Sequence, residues 1–184
     1  MSNNQDSQRD SAEISASPPP AGVLRRLGAI VYDTLISIAV LFVPTFILTA
    51  LTSKIFDPSE VGAYAYVYRA GELVVLAVFF GFFWTRRGQT VGMQAWRLRV
   101  EDTSGRLLDW PGALARFSYA ALPWLLSMLF LSFGDPHAWS TARVAGIAFA
   151  ACGVLNLLSP WFDRERRSWH DRLSGSRVVK LPKS

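Results

Sequence analysis

Residues 27–51 read LGAIVYDTLISIAVLFVPTFILTAL, and this stretch decides the fold class. It contains 25 residues with Asp33 as its only charge, and about 20 apolar residues suffice to span a bilayer as a helix. The composition agrees, because 51% of the 184 residues are hydrophobic and 18% are charged, against roughly 25% charged in average soluble domains. We therefore predict a membrane protein and not a soluble domain.

Three further apolar runs follow the first, at residues 61–84, 112–133 and 141–161. Each is long enough to span a bilayer as a helix, with some tilt where needed. The second and fourth runs carry charge toward their outer ends, so an alternative has two spanning helices and two interfacial ones. We favour an all-α integral membrane protein with four transmembrane helices.

The basic residues predict the orientation of these spans. Three Lys and Arg residues precede the first span, one follows it, five lie within residues 85–111, none follows the third span and seven follow the fourth. The positive-inside rule places the loops rich in Lys and Arg in the cytoplasm. We predict that both termini are cytoplasmic and that the turns containing Asp57 and His137 lie outside.

Residues 1–20 are polar and end in three prolines. Such a segment cannot bury enough apolar surface to offset its ordering entropy, so we predict a disordered cytoplasmic tail. Residues 21–181 form the predicted membrane domain.

Three motifs carry a resemblance to a known family. They are AGVLRRLGAIVYD at residues 21–33, GQTVG followed by RLRV at residues 88–92 and 97–100, and RRSWHDRLSGSRVV at residues 166–179. In this order they resemble the RDD family of bacterial membrane proteins, named for one arginine and two aspartates. The matching residues are Arg26, Asp33 and Asp171, with Gly88, Thr90 and Gly92 matching the family's loop.

The resemblance covers about residues 21–180 and implies a multi-pass protein of the bacterial inner membrane. Met93 departs from the pattern, because members usually have lysine at that position. The resemblance further implies transport of small ligands, with some members linked to cation–proton exchange.

Charges within the apolar runs are the candidate site residues. Asp33 lies six residues into its span, roughly 9 Å at about 1.5 Å per residue, and Arg116 enters the third span at a similar depth. One hypothesis is an Asp33–Arg116 ion pair that only locks two helices together; the other is a carboxylate that faces a wet cavity and exchanges a proton or cation. Glu72, three residues after Arg69, is a second candidate in a proton path.

The chain also shows signs of an internal repeat. Arg86 and Arg87 lead to RV at residues 99–100, and Arg166 and Arg167 lead to RV at residues 177–178, with a gap of two residues. Together with the arginines that open the first and third spans, this pattern indicates a parallel two-helix repeat. Residues 96–100 and 176–181 are predicted to form a small cytoplasmic β element, and its basic surface is predicted to contact anionic lipid headgroups.

Other chemistry is not expected from this sequence. Two histidines and one cysteine are too few for a closed zinc site, and no phosphate-binding loop is present, so we expect no metal, cofactor, nucleic acid or enzymatic activity. Asp171 is expected to bind Arg166 or Arg167 and to cap the following turn. The leading hypothesis is transport or exchange of a small ligand or cation by a homo-oligomer, with Asp33 as the exchanging carboxylate. The alternative is a scaffold that docks partners through its basic cytoplasmic surface.

Overall fold

The structure is a computed structural model that describes residues 18–52, 63–133 and 140–182. The predicted disordered tail up to residue 17 lies outside the described residues. So do the two predicted outer turns, which contain Lys54, Asp57 and His137.

The described residues form six α-helices and two strands, numbered here in chain order. They are α1 (Val23–Thr52), α2 (Ala63–Arg86), α3 (Val91–Ala95), β1 (Leu98–Asp102), α4 (Trp110–Phe133), α5 (Thr141–Leu158), α6 (Trp169–Leu173) and β2 (Ser176–Lys180). A 3₁₀ turn, Ser159–Trp161, follows α5 directly. The helices α1 and α4 continue through Pro44 and Pro123, respectively.

Three helical segments in the described residues are long and apolar enough to cross a bilayer. They are Val23–Ile47, Trp110–Ser132 and Thr141–Trp161. The helix α2 is as long as α4, at 24 residues, but Arg69 and Glu72 interrupt its apolar run. The predicted helical membrane protein is therefore confirmed, with three candidate spans in this part of the chain.

The surface of α1 is what a helix in contact with lipid requires. One stripe along it exposes Val31, Leu35, Phe42 and Phe46, and more than half of each residue's surface is accessible. Soluble monomers rarely expose a continuous apolar face of this kind. Burial within the protein is instead concentrated at one end of the helices.

That end contains the hydrophobic core. The core joins α1, α2 and α4 to α3 and both strands, and its residues are Ala21, Ala29, Trp84, Met93, Leu98, Val100, Leu108, Ala113 and Val178. The predicted β element is present, because β1 and β2 pair antiparallel with Val100 opposite Val178. The N-terminal segment covers the other edge of β2, where Pro20 pairs with Val179 and the Ala21 N–H donates to the Val178 carbonyl at 3.0 Å.

The elements α3–β1 and α6–β2 repeat each other with a spacing of 78 residues. The N-cap residues of α3 and α6 are Thr90 and Ser168, and the two strands begin at Leu98 and Ser176. Backbone φ angles are positive at equivalent positions, which are Gly88 and Arg166 before the helices and Arg97 and Gly175 before the strands. The predicted alignment of Arg86 with Arg166 is therefore wrong by two residues. The residue equivalent to Arg166 is Gly88, and the two units then align without a gap.

The pairing of the strands has the symmetry of this repeat. Val100 pairs with its own equivalent, Val178, and the pairs on either side are reciprocal. A self-complementary pairing of this kind defines a local two-fold axis. The axis passes between β1 and β2 at the pair Val100–Val178.

Candidate functional site

Asp171, on α6, is fully buried and binds two guanidinium groups from different helices. Its Oδ2 accepts a hydrogen bond from Arg26 Nη1 at 2.5 Å, and its Oδ1 accepts one from Arg116 Nη1. The Ser168 N–H also donates to Oδ2, at 3.0 Å, and this bond closes the first turn of α6. Asp171 thus caps its own helix and ties it to α1 and α4.

Arg166 and Arg167 have other roles. The Arg166 carbonyl accepts a bond from Arg26 Nη2 at 2.7 Å, and the Arg167 N–H donates to Asp163 Oδ2 at 2.7 Å. The predicted pairing of Asp171 with either residue is wrong, because Arg26 and Arg116 already occupy both carboxylate oxygens.

Electrostatics keep the Asp171 carboxylate charged. Burial alone would raise its pKa, but the guanidiniums of Arg116 and Arg26 outweigh burial and hold the pKa of Asp171 well below its usual range. Two guanidiniums therefore share one carboxylate, and the cluster Arg26–Asp171–Arg116 has a formal charge of +1.

Arg116 does not bind Asp33. Its Nη1 also donates to Ser176 Oγ at 2.5 Å, and its guanidinium lies 5.2 Å from the centre of the Trp84 ring. No ion pair joins Arg116 to Asp33 among the described residues. The predicted Asp33–Arg116 pair is wrong, because α6 inserts the Asp171 carboxylate between the two arginines.

Asp33 is held by neutral donors from the loop motif. Thr90 Oγ1 donates to its Oδ2 at 2.5 Å, and the Gly92 N–H donates to its Oδ1 at 2.8 Å. Thr90 is the N-cap of α3, and its hydroxyl also accepts a bond from the Met93 N–H at 3.2 Å. Within the described residues, no cation contacts the Asp33 carboxylate.

Two glycines let α3 approach α1 closely enough for these bonds. A Cβ on Gly92 would lie 2.3 Å from the Ala29 carbonyl oxygen and 2.8 Å from Asp33 Cγ. A Cβ on Gly28 would lie 2.3 Å from the Trp96 ring. Direct contact with Asp33 therefore explains Thr90 and Gly92 of the loop motif, whereas Gly88 has a positive φ and packs against the Val100 carbonyl.

A cavity of about 400 Å³ lies between the helices above the sheet. Its polar side chains are gathered from both halves of the chain: Arg26, Asp33, Thr34, Ser37 and Thr90 from the first half, and Arg116, Ser168 and His170 from the second. Apolar side chains, among them Ile38, Leu41 and Phe80, form much of the remaining wall. Asp33 and Arg116 thus share a cavity without forming a bond.

His170 is a half-buried polar group of this cavity that the sequence did not single out for this role. Its Nδ1 lies 3.1 Å from Asn156 Oδ1, and its Nε2 lies 3.1 Å from Ser168 Oγ. Burial, and then the positive charge of Arg116, lowers the pKa of His170 to about 4. The imidazole is therefore neutral at pH 7, with Nδ1–H donating to Asn156 and Nε2 accepting from the Ser168 hydroxyl.

Glu72 is separate from this arrangement. It is half-buried on α2 and is not among the residues that line the cavity. Among the described residues, it forms no ion pair with the exposed Arg69.

Two further residues of the site, Ser168 and Ser176, are not predicted from the sequence. A signal for Ser168 exists, because a serine three residues before Asp171 is the spacing of a capping box. No local signal indicates Ser176, which meets Arg116 from 60 residues away.

Of three comparisons with known proteins, one gives a match. Searches of curated proteins and of solved structures give no match. A comparison with protein families matches residues 20–175 to the RDD family, and this range includes Arg26, Asp33, the loop motif and Asp171. Because the match extends over most of the chain and the helices have the length and apolar character of membrane spans, the chain belongs to the RDD family of membrane proteins.

Proposed function

We propose that this chain transports or exchanges a small ligand or a cation across the bacterial inner membrane, with Asp33 as the exchanging carboxylate. The observation that carries the proposal is that Asp33 lines the cavity from within a candidate span and is bound by neutral donors. A charge inside the bilayer costs at least ~2.5–3.5 kcal/mol, and such residues commonly mark an ion or substrate pathway.

In this proposal α1, α2, α4 and α5 all span the membrane, with both termini in the cytoplasm. The arginines support this orientation, because the segments around α3–β1 and α6–β2 contain most of the basic residues. The core and the cavity's charged end then lie toward the cytoplasmic side.

The repeat supports a site between two equivalent halves. The helix α3 packs on α1 as α6 packs on α4, so each half consists of two long helices, a short helix and a strand. The cavity takes Asp33 and Thr90 from one half, and Arg116 and His170 from the other. Transporters built from repeats commonly bind their substrates at the repeat interface.

We also propose that the protein assembles as a homo-oligomer and contacts anionic lipid headgroups. Four helices enclose little room, and the exposed apolar stripe of α1 offers a surface for another copy. The exposed arginines of the basic segments support contact with headgroups, at about 1 kcal/mol per charge. They are Arg86, Arg87, Arg97, Arg106, Arg164, Arg166 and Arg172.

Flux through the purified full-length protein in liposomes tests the transport proposal. We expect proton movement driven by a gradient of a cation or small ligand in the wild type, and loss of this flux in Asp33→Asn. The variant should still insert and fold, because transfer of an amide into the bilayer costs less free energy than transfer of a carboxylate. Glu72→Gln is the matched control, since Glu72 lies on another long helix but outside the cavity, and its flux should be unchanged.

Absence of flux for every tested ion and ligand would reject transport and leave the scaffold hypothesis. Equal loss of flux in Glu72→Gln and Asp33→Asn would show that the pathway is not defined by this cavity.

A further inference from the structure

We propose that the cavity binds a zwitterion with an apolar body, such as an amino acid with a large apolar side chain. This inference rests on the proposed function and names the class of ligand. Its basis is the separation of opposite charges within one cavity that is otherwise mostly apolar.

The positive side of the cavity is the cluster Arg26–Asp171–Arg116. Its second guanidinium is not neutralised within the cluster, because Asp171 supplies one charge for two arginines. Both bonds of Arg116 leave from Nη1, and among the described residues no acceptor binds its Nη2. A carboxylate of the ligand would complete this side with charge-assisted hydrogen bonds.

The negative side is Asp33. Its oxygens accept one bond each from Thr90 and Gly92, and an ionised carboxylate has about four acceptor positions in total. The remaining positions suit an ammonium group. A cation without a negative group would meet the unbalanced charge of the arginine cluster in the same cavity, and an anion without a positive group would meet Asp33.

The apolar part of the cavity wall favours a ligand with an apolar side chain. The apolar lining of the cavity includes Ile38, Leu41, Phe80, Phe117, Ala120 and Ala121. A volume of about 400 Å³ falls within the range of roughly 300–1,000 Å³ for small-molecule sites. An apolar side chain would bury its surface here while its two charged groups face Asp33 and Arg116.

Titration calorimetry on the full-length protein in nanodiscs, with matched ligands, tests this assignment. The probes are L-phenylalanine, 2-phenylethylamine, which lacks the carboxylate, and 3-phenylpropanoate, which lacks the ammonium group; L-leucine with its two corresponding analogues is a second series. We expect the amino acids to bind at least about tenfold more tightly than either analogue, because each analogue leaves one buried charge of the site unpaired.

The variant Asp33→Asn tests which end of the site binds the ammonium group. In Asp33→Asn, L-phenylalanine and 3-phenylpropanoate should bind within about threefold of each other, because the partner of the ammonium group is lost. Glu72→Gln should retain the wild-type preference. The comparison of ligands on the wild type keeps the test decisive even where a variant folds poorly.

Three results would overturn the inference: 2-phenylethylamine binding as tightly as L-phenylalanine, 3-phenylpropanoate doing so, or no binding of either amino acid. Cation flux that depends on Asp33, without amino acid binding, would reject this ligand class and leave the transport proposal standing. Amino acid binding without any flux would support the ligand class and reject transport.

Discussion

Asp33 and Asp171 are both buried carboxylates, and the bonds they form separate their roles. Asp171 binds two arginines that come from α1 and α4, so it holds the ends of the long helices together. Asp33 binds a hydroxyl and a backbone N–H, which position the carboxylate without neutralising it. We therefore propose a stabilising role for Asp171 and ligand or ion exchange for Asp33.

His170 gives a pH-dependent prediction. Its pKa is lowered to about 4 in the folded protein, while in the unfolded chain it takes up a proton as the pH falls through about 6.5. The unfolded state therefore binds more protons between these values, and the folded state loses stability as the pH falls from 6.5 to 4. His170→Gln should reduce the dependence of folding stability on pH, as measured by thermal unfolding at pH 7.5 and pH 5.

Asp163→Asn is the control for this prediction. The backbone N–H of Arg167, followed by the Arg172 guanidinium, lowers the pKa of Asp163, so its contribution to stability is lost only below about pH 4. The variant should retain the wild-type slope between pH 7.5 and pH 5. An unchanged slope in His170→Gln would show that His170 is protonated equally in the folded and unfolded states.

The sequence indicated the important charges but not their partners. Asp33 and Arg116 stand out because each is a charge inside a long apolar run. Arg26 and Asp171 are separated by 145 residues, and no local pattern predicts a bond across that distance. Depth in the membrane is the only guide that the sequence offers, and it pairs Asp33 with the arginine at a similar depth.

At the scale of elements, the two short helix–strand units are the repeated feature. Each contains two positions with positive φ, and in each unit glycine occupies one and arginine the other. Glycine adopts this conformation without steric cost, whereas other residues pay roughly 1–2 kcal/mol for it.

Gly175 allows a clean test of this geometry. A Cβ there would meet no atom within 4 Å, so Gly175→Ala changes only the backbone preference at φ +63°. We expect the variant to be destabilised by about 1 kcal/mol. Gly71→Ala is the matched control, because Gly71 also has open space around it but lies inside α2, where alanine is favoured by roughly 0.5–1 kcal/mol.

The two substitutions should therefore shift the unfolding temperature in opposite directions. An unchanged or raised unfolding temperature in Gly175→Ala would show that α6 and β2 are not joined through a left-handed residue at position 175.

The long elements were predictable and the short helices were not. Four apolar runs predicted α1, α2, α4 and α5, although α1 begins at Val23, four residues before the predicted span. The helices α3 and α6 have five residues each, which is too short for a periodic pattern. Alternating and β-branched residues did predict β1 and β2. The regular spacing of 78 residues was not predicted, because the alignment proposed from the sequence contained a gap of two residues.

At the scale of the whole molecule, the topology gives a labelling prediction. Cys152 is exposed, so the parent for this experiment is Cys152→Ser, with single cysteines then placed at positions 2, 57, 137 and 184. A membrane-impermeant reagent added to intact cells should label positions 57 and 137 only. Labelling at position 184 from outside would contradict the arrangement of four spans with both termini in the cytoplasm.

The role of Asp33 in the cavity depends on Arg116 being paired with Asp171 and not with Asp33. Two double-mutant cycles, measured by unfolding of the full-length protein, test this pairing: Arg116→Gln with Asp171→Asn, and Arg116→Gln with Asp33→Asn. Breaking a buried pair costs about 3–5 kcal/mol, and the loss is partly recovered when both partners are changed. We predict such recovery for Arg116 with Asp171 and additivity within about 0.5 kcal/mol for Arg116 with Asp33. Recovery with Asp33 and additivity with Asp171 would contradict the account.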